Sequence, residues 1–180
     1  MANTPQARMP IKSVETVTSI ANGDLHELCD ATEAAIEDGG GFGWLSSPGR
    51  KRLEDYWKGV LLIPEKVLII GRIDGVVASS CQIARPPRNN EAQRFMCHLT
   101  TFFVAPWARG HGLAPMMLDE AEAFSRSEGF RMINLDVRAT QENAIRRYEA
   151  AGYVKFGTNP KYALVGEEYI PGYYYYKEIT

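Results

Sequence analysis

Two apolar runs, "EKVLIIGRI" and "GVVASSCQIA", stand on either side of Asp74-Gly75. Asp-Gly between apolar runs is the strongest short-range signal for a two-residue β-hairpin, because both turn positions need a positive φ. The pair therefore commits the chain to two adjacent antiparallel strands. The turn-rich "RPPRNNEA" and then "QRFMCHLTTFFV", a long strand ending at Pro106, make three strands in succession.

Around these strands the apolar spacing changes to the helical period. "IKSVETVTSI" reads as a first strand. "NGDLHELCDATEAAIEDGG" reads as a helix with Leu25, Leu28, Cys29, Thr32, Ala35 and Ile36 recurring, Asn22 or Asp24 as its cap and Gly39 to Gly41 as its stop. "GGGFGWLSSPGR" is a glycine-rich loop, and "RKRLEDYWKGVLL" a second helix before Pro64. Beyond Pro106 the spacing predicts a helix with Leu113, Met116, Met117, Ala121 and Phe124 on one face. The strand "FRMINLDV" follows, then the helix "QENAIRRYEAA" with Thr140 as N-cap and Gly152 at its stop. The last strands, "YVKFGT" and "GYYYYKEI", are joined by a bulky connection, "NPKYALVGEEYIP". Hairpins combined with crossover helices predict an α/β (α+β) layer fold, a mixed sheet with helices on its faces.

At 180 residues the chain suits one domain with a sizeable core, its core spanning about residues 10 to 180. A net charge of −2 supplies no global field to draw it onto nucleic acid or an anionic membrane. Cys29, Cys81 and Cys97 form neither a close pair nor a CxxC motif, so no disulfide framework or metal site is expected. "MANTPQARMP" has no apolar h-region, and the most apolar window, "GVLLIPEKVLIIG", is interrupted by Pro64, Glu65 and Lys66. A reduced, cytoplasmic location is the expectation.

Where a strand turns into a helix, "APWARGHGLAPMM" places Gly110 and Gly112 after Arg109. Such a turn offers N–H groups without intrahelical partners, and the helix dipole favours an anion there. Pro115 is tolerated in the first helical turn, which sets the helix start at about Gly112 and leaves residues 110 to 114 as donors. A Walker loop is excluded because no Lys follows, and the dinucleotide fingerprint fails because Pro115 stands at its third small position.

The stretch "VAPWARGHGLAPMML" resembles the acyl-coenzyme A loop of the GNAT superfamily of N-acetyltransferases, Q/R-x-x-G-x-G/A, filled by Arg109, Gly112 and Ala114. "TTFFV" resembles the family's central strand, and "NLDVRATQENAIRRYEAAGY" its second hallmark, with Tyr148 at the family's tyrosine. Within the superfamily the chain resembles most the tabtoxin-resistance type of small-molecule acetyltransferase, through "GGGFGW", "LD" on the fifth strand and a Pro-x-Tyr-Ala stretch near the C-terminus. The family's Asn seven residues before the tyrosine is Gln141 here, with Asn143 nearby, and its strand glutamate is absent, His98 and Thr100 occupying that region.

The resemblance implies a single-domain, mostly antiparallel GNAT-like sheet with helices on both faces, and an acetyl-CoA-dependent N-acetyltransferase without a metal. Pantetheine would lie along Phe102, Phe103 and Val104, and the pyrophosphate on Arg109, Gly110, His111, Gly112, Leu113 and Ala114, with Gln141, Asn143 and Tyr148 also at the cofactor. Tyr148 would be the general acid, since a phenol is a reasonable proton donor to a leaving thiolate. His98 is one candidate base, its imidazole titrating near neutrality, and Asp136 another, because a carboxylate between apolar Leu135 and Val137 can face the cleft and bind the amine. Phe42, Trp44, Tyr162 and Tyr173 are candidate acceptor contacts, while Glu120 and Glu122 read as a solvated helix face. The acceptor expected is a primary amine on a small molecule, such as an amino acid, a short peptide or an amine-bearing antimetabolite, with no nucleic acid or membrane partner and a homodimer admitted. The alternatives are a protein N-terminal or lysine acetyltransferase, against which the bulky 160–172 connection argues, and a non-catalytic acyl-CoA-binding sensor.

Overall fold

The computed structural model describes residues 8–40 and 43–180, and its elements follow the order read from the sequence. They are β1 (Lys12–Val17), α1 (Asn22–Glu37), α2 (Arg50–Val60), β2 (Lys66–Ile73), β3 (Val76–Ala84), β4 (Met96–Val104), α3 (Leu113–Ser127), β5 (Met132–Arg138), α4 (Glu142–Ala150), β6 (Val154–Val165) and β7 (Glu168–Glu178). Asp74 and Gly75 take φ of 50° and 87°, the left-handed pair that a tight hairpin turn requires. The sheet runs β1-β2-β3-β4-β5-β7-β6, antiparallel throughout except between β4 and β5.

Helices cover both faces of the β1–β4 half. On one face α1 packs over β3 and β4, and Tyr56 of α2 receives a hydrogen bond from Gln82 of β3 at 2.9 Å. On the other, α3 packs so closely that a Cβ at Gly71 would meet the Met117 sulfur at 2.8 Å and collide with the Ser79 hydroxyl. Residues 67–71 of β2 are all buried between these layers. Leu53, Trp57, Ile69, Ile83, Met117 and Ile133 are each at most 2% exposed and are among the side chains whose burial drives folding.

Several local readings give way to longer-range contacts. The N-cap of α1 is Ala21 rather than Asn22 or Asp24, and the Asp24 carboxylate instead takes two hydrogen bonds from Arg72, at 2.9 and 2.8 Å. That hydrogen bonding holds Asp24 below the usual carboxylate range. Gln141, not Thr140, stands at the start of α4. Glu122 is not solvated: it is 6% exposed and is neutralised by Lys177 at 2.6 Å and Arg126 at 3.1 Å. The supposed connection at 160–172 is sheet. β6 and β7 are long strands turning at Gly166-Glu167, so no bulky loop stands over the cleft to argue against a protein acceptor.

Candidate active site

β4 and β5 pair over three positions only, Met96–His98 with Met132–Asn134. Beyond that seam β4 continues along β3 as far as Val104 and β5 along β7 as far as Arg138, so the sheet opens into a wedge at the C-terminal ends of both strands. In α/β sheets ligands bind outside the carboxyl ends of the strands, where neighbouring strands part. The open edge of β4 is also bulged. Ser80 pairs with Phe103 and Gln82 with Thr100, leaving two residues opposite Cys81, and Thr101 takes φ 53°. A β-branched residue in the left-handed region is strained, and strain of this kind concentrates at functional sites.

On one side of the wedge lies a cavity of about 440 Å³. Gly112, φ 77°, is the left-handed N-cap of α3, and Pro115 occupies the third helical position. Among the described residues no carbonyl or side chain accepts from the N–H groups of Gly110 to Ala114. Of the sequence-named cofactor residues, Phe102, Phe103, Val104, Arg109, Gly110, Gly112, Leu113, Ala114, Gln141 and Asn143 line this cavity. His111 does not. Its ring nitrogen turns back on the Ala108 and Arg109 carbonyls at 3.2 and 3.1 Å, and its own carbonyl accepts from Lys12 at 2.9 Å. The Arg109 guanidinium reaches Asp38, beyond the C-terminal end of α1, at 2.6 Å.

A second cavity, about 530 Å³, meets the first at Phe102, Gln141 and Ala144. Tyr148 borders it, 6% exposed, with its ring 6.0 Å from that of Phe102 and 6.5 Å from that of Tyr175. Burial pushes its phenol well above the ordinary value, helped by Cys81 and Asp136, so it is neutral at physiological pH. Asp136 and Tyr162 share this cavity, and the Tyr162 hydroxyl donates to the Asp136 carboxylate.

Three sequence candidates stand elsewhere, and a fourth, Phe42, lies outside the described residues. His98 is exposed on the last rung of the seam, opposite Asn134, where the wedge has not yet opened, and it lines neither cavity. Trp44 packs edge-on against Tyr56 at 5.1 Å. Tyr173 is covered by the Lys155 ammonium, 3.1 Å from its ring centroid. Among the described residues no group of three His, Cys, Asp or Glu is arranged to hold a metal, and no helix is long and apolar enough to cross a membrane.

Both the sequence and the overall fold match known proteins. The model of the acetyltransferase (GNAT) family fits residues 29–153. The chain belongs to the GNAT family. A protein of Azospirillum brasilense described as an uncharacterized N-acetyltransferase of the hisH-hisA intergenic region is 54% identical over 129 residues, 72% of this chain and 77% of the relative. Among solved structures, an N-acetyltransferase from Staphylococcus aureus Mu50 superposes with a TM-score of 0.79 at 13% identity, covering 94% of this chain and 99% of that one. The yncA protein of Salmonella typhimurium, solved with its cofactor acetyl-CoA, gives 0.75 at 12% identity and covers 94% of each. GNAT membership makes the chain an acetyl-CoA-dependent N-acetyltransferase.

Several lining residues of this GNAT enzyme escape sequence reasoning. Arg146 and Arg147 line the first cavity, adding positive charge next to the loop, and Arg138 lines the second. The Gly39 carbonyl accepts from Gln141 at 2.6 Å and from Arg138 at 3.3 Å, so the end of α1 is tied to both cavities. An "IRRYE" run on a short helix signals amphipathicity only, and nothing local says which arginine turns inward.

Proposed function

We propose that the enzyme transfers acetyl from acetyl-CoA to the primary amine of a small molecule by direct attack on the thioester. The observation that carries this is the meeting of the two cavities at Phe102, Gln141 and Ala144, with an anion cradle in one and Tyr148 and Asp136 in the other. The unsatisfied N–H groups of Gly110 to Ala114, with Arg109, Arg146 and Arg147, fit a pyrophosphate-bearing coenzyme. Acetyl-CoA supplies an activated acyl group, and the remaining work falls to the chain.

Asp136 binds the incoming ammonium and takes its proton, directly or through water. Tyr148, held neutral, donates a proton to the departing thiolate. The bulge leaves Thr101 and Phe102 of β4 out of register with β3, and backbone N–H groups of this stretch would stabilise negative charge developing on oxygen. Cys81 lies beside Tyr148 but is fully buried, which pushes its thiol far up and supports direct transfer over a thiol-bound acyl group. Asp136, Tyr162 and Ala163, within the "LD" and Pro-x-Tyr-Ala stretches that resemble the tabtoxin-resistance type, all border the acceptor cavity and support a small-molecule acceptor.

Calorimetric titration with acetyl-CoA and thiol release across an amine panel test the proposal. Saturable binding and turnover of a small amine are the expected result. Absence of binding sinks it, and binding without turnover of any amine, or turnover of peptide N-termini alone, replaces it with the sensor or the protein acetyltransferase.

A further inference from the structure

We infer that the acceptor is a free α-amino acid, its ammonium held by Asp136 and its carboxylate by Arg138. The inference rests on the transferase reading above and names the substrate class for the same site. Asp136 and Arg138 stand two apart on β5, so their side chains leave the same face of the strand, with Cα atoms roughly 6.6 to 6.8 Å apart. Both line the cavity that Tyr148 borders.

The two charges do not neutralise each other. Asp136 accepts from the neutral hydroxyl of Tyr162. Arg138 is half-buried and donates to the Gly39 carbonyl, and among the described residues no carboxylate lies within 4.0 Å of it. A guanidinium has five N–H donors in a planar fork, and one contact to a carbonyl leaves a face free for bidentate pairing. Of the other arginines near the site, Arg109 is paired with Asp38 and Arg146 with Glu142 and Asn143, while Arg147 lines the first cavity and not the second.

A half-buried cation without an anion beside a carboxylate without a cation, in one cavity of about 530 Å³, is complementary to a small zwitterion. An amine lacking the carboxylate would leave Arg138 unpaired against the bound substrate. An acceptor with the free acid satisfies both ends and fixes the amine relative to Tyr148.

The test uses the intact enzyme with acetyl-CoA and a set of L-amino acids, each paired with its methyl ester and its decarboxylated amine. The expected result is at least one free acid preferred over both derivatives by about 10- to 100-fold in kcat/KM. Arg138→Gln should bring that ratio close to one, and Arg138→Lys should restore part of it, because an ammonium keeps the charge but not the fork. Turnover of the ester by Arg138→Gln reports that the variant is folded. Esters and amines used as well as the acids, or a ratio unchanged in Arg138→Gln, overturn the inference and leave the transferase reading standing. Acetyl-CoA binding with no acetylation anywhere in this panel also overturns the inference, and the transferase reading falls with it only when the wider amine panel is silent too.

Discussion

Tyr148 sits where the phenol is held in its protonated form. Its ring is packed against Phe102, Tyr153 and Tyr175, its hydroxyl has no partner among the described residues, and burial keeps it protonated. Tyr148→Phe preserves the packing and removes the proton, so kcat should fall by about 10²- to 10⁴-fold while the dissociation constant for acetyl-CoA changes little. Steady-state thiol release with calorimetry checks both halves, and an unchanged kcat would remove Tyr148 from its role. The raised pKa carries a second consequence. A proton donor that ionises above its ordinary value of 10.0 puts no alkaline limb on kcat below that pH. At this scale the sequence was legible where a residue's place follows from a local motif, as the place of Tyr148 beside the second cavity does from "YEAAGY". Places that depend on strand direction were hidden. Asp136 was readable from its apolar neighbours, whereas Arg138, at the strand's end, gave no such contrast.

The β6–β7 hairpin owes its use to an irregularity. Asn159 pairs with Gly172 and Ala163 with Ile170, so three residues of β6 arch over the single residue Pro171 of β7. The arch brings Tyr162 down across Gly172, where an added Cβ would overlap the tyrosine ring, and so toward Asp136. Bulges re-aim side chains in this way. Gly172→Ala should therefore displace Tyr162, raise the KM of the acceptor several-fold or more and leave the acetyl-CoA dissociation constant nearly unchanged. Thermal unfolding should show a loss of about 1 to 3 kcal/mol, the usual cost of overpacking. A variant with wild-type acceptor KM would show that Tyr162 does not shape the site. The hairpin's extent was illegible because Pro160, Gly166 and Pro171 read as loop residues. Proline is tolerated here because β6 is an edge strand and Pro171 faces an arch instead of a ladder. The β2–β3 hairpin was legible because its turn chemistry is local and its strands are uninterrupted.

Across the whole molecule the tyrosines set the alkaline limit. Tyr148, Tyr153 and Tyr175 are nearly inaccessible, and burial raises all three phenols, Tyr175 to about 12. In the unfolded chain they ionise near 10 while in the folded chain they stay protonated, so the unfolded state binds fewer protons above that pH and stability falls as pH rises. Each contributes up to about 1.4 kcal/mol per pH unit in that window and nothing to the slope below it. Denaturant midpoints measured between pH 9 and 11.5 should bend downward near pH 10, and Tyr153→Phe should flatten the descent; equal slopes would refute the assignment. The overall order of elements was legible because each carries its own period and stops, but the wedge was not, since it depends on two strands failing to pair. That failure has a consequence for descent. With only three rungs between β4 and β5, the loop at 109–114 and the β6–β7 hairpin hang from different halves of the sheet, and the family model ends at residue 153, just short of β6. The wall that Tyr162 and Ala163 lend to the second cavity can therefore diverge while the loop at 109–114 is inherited unaltered.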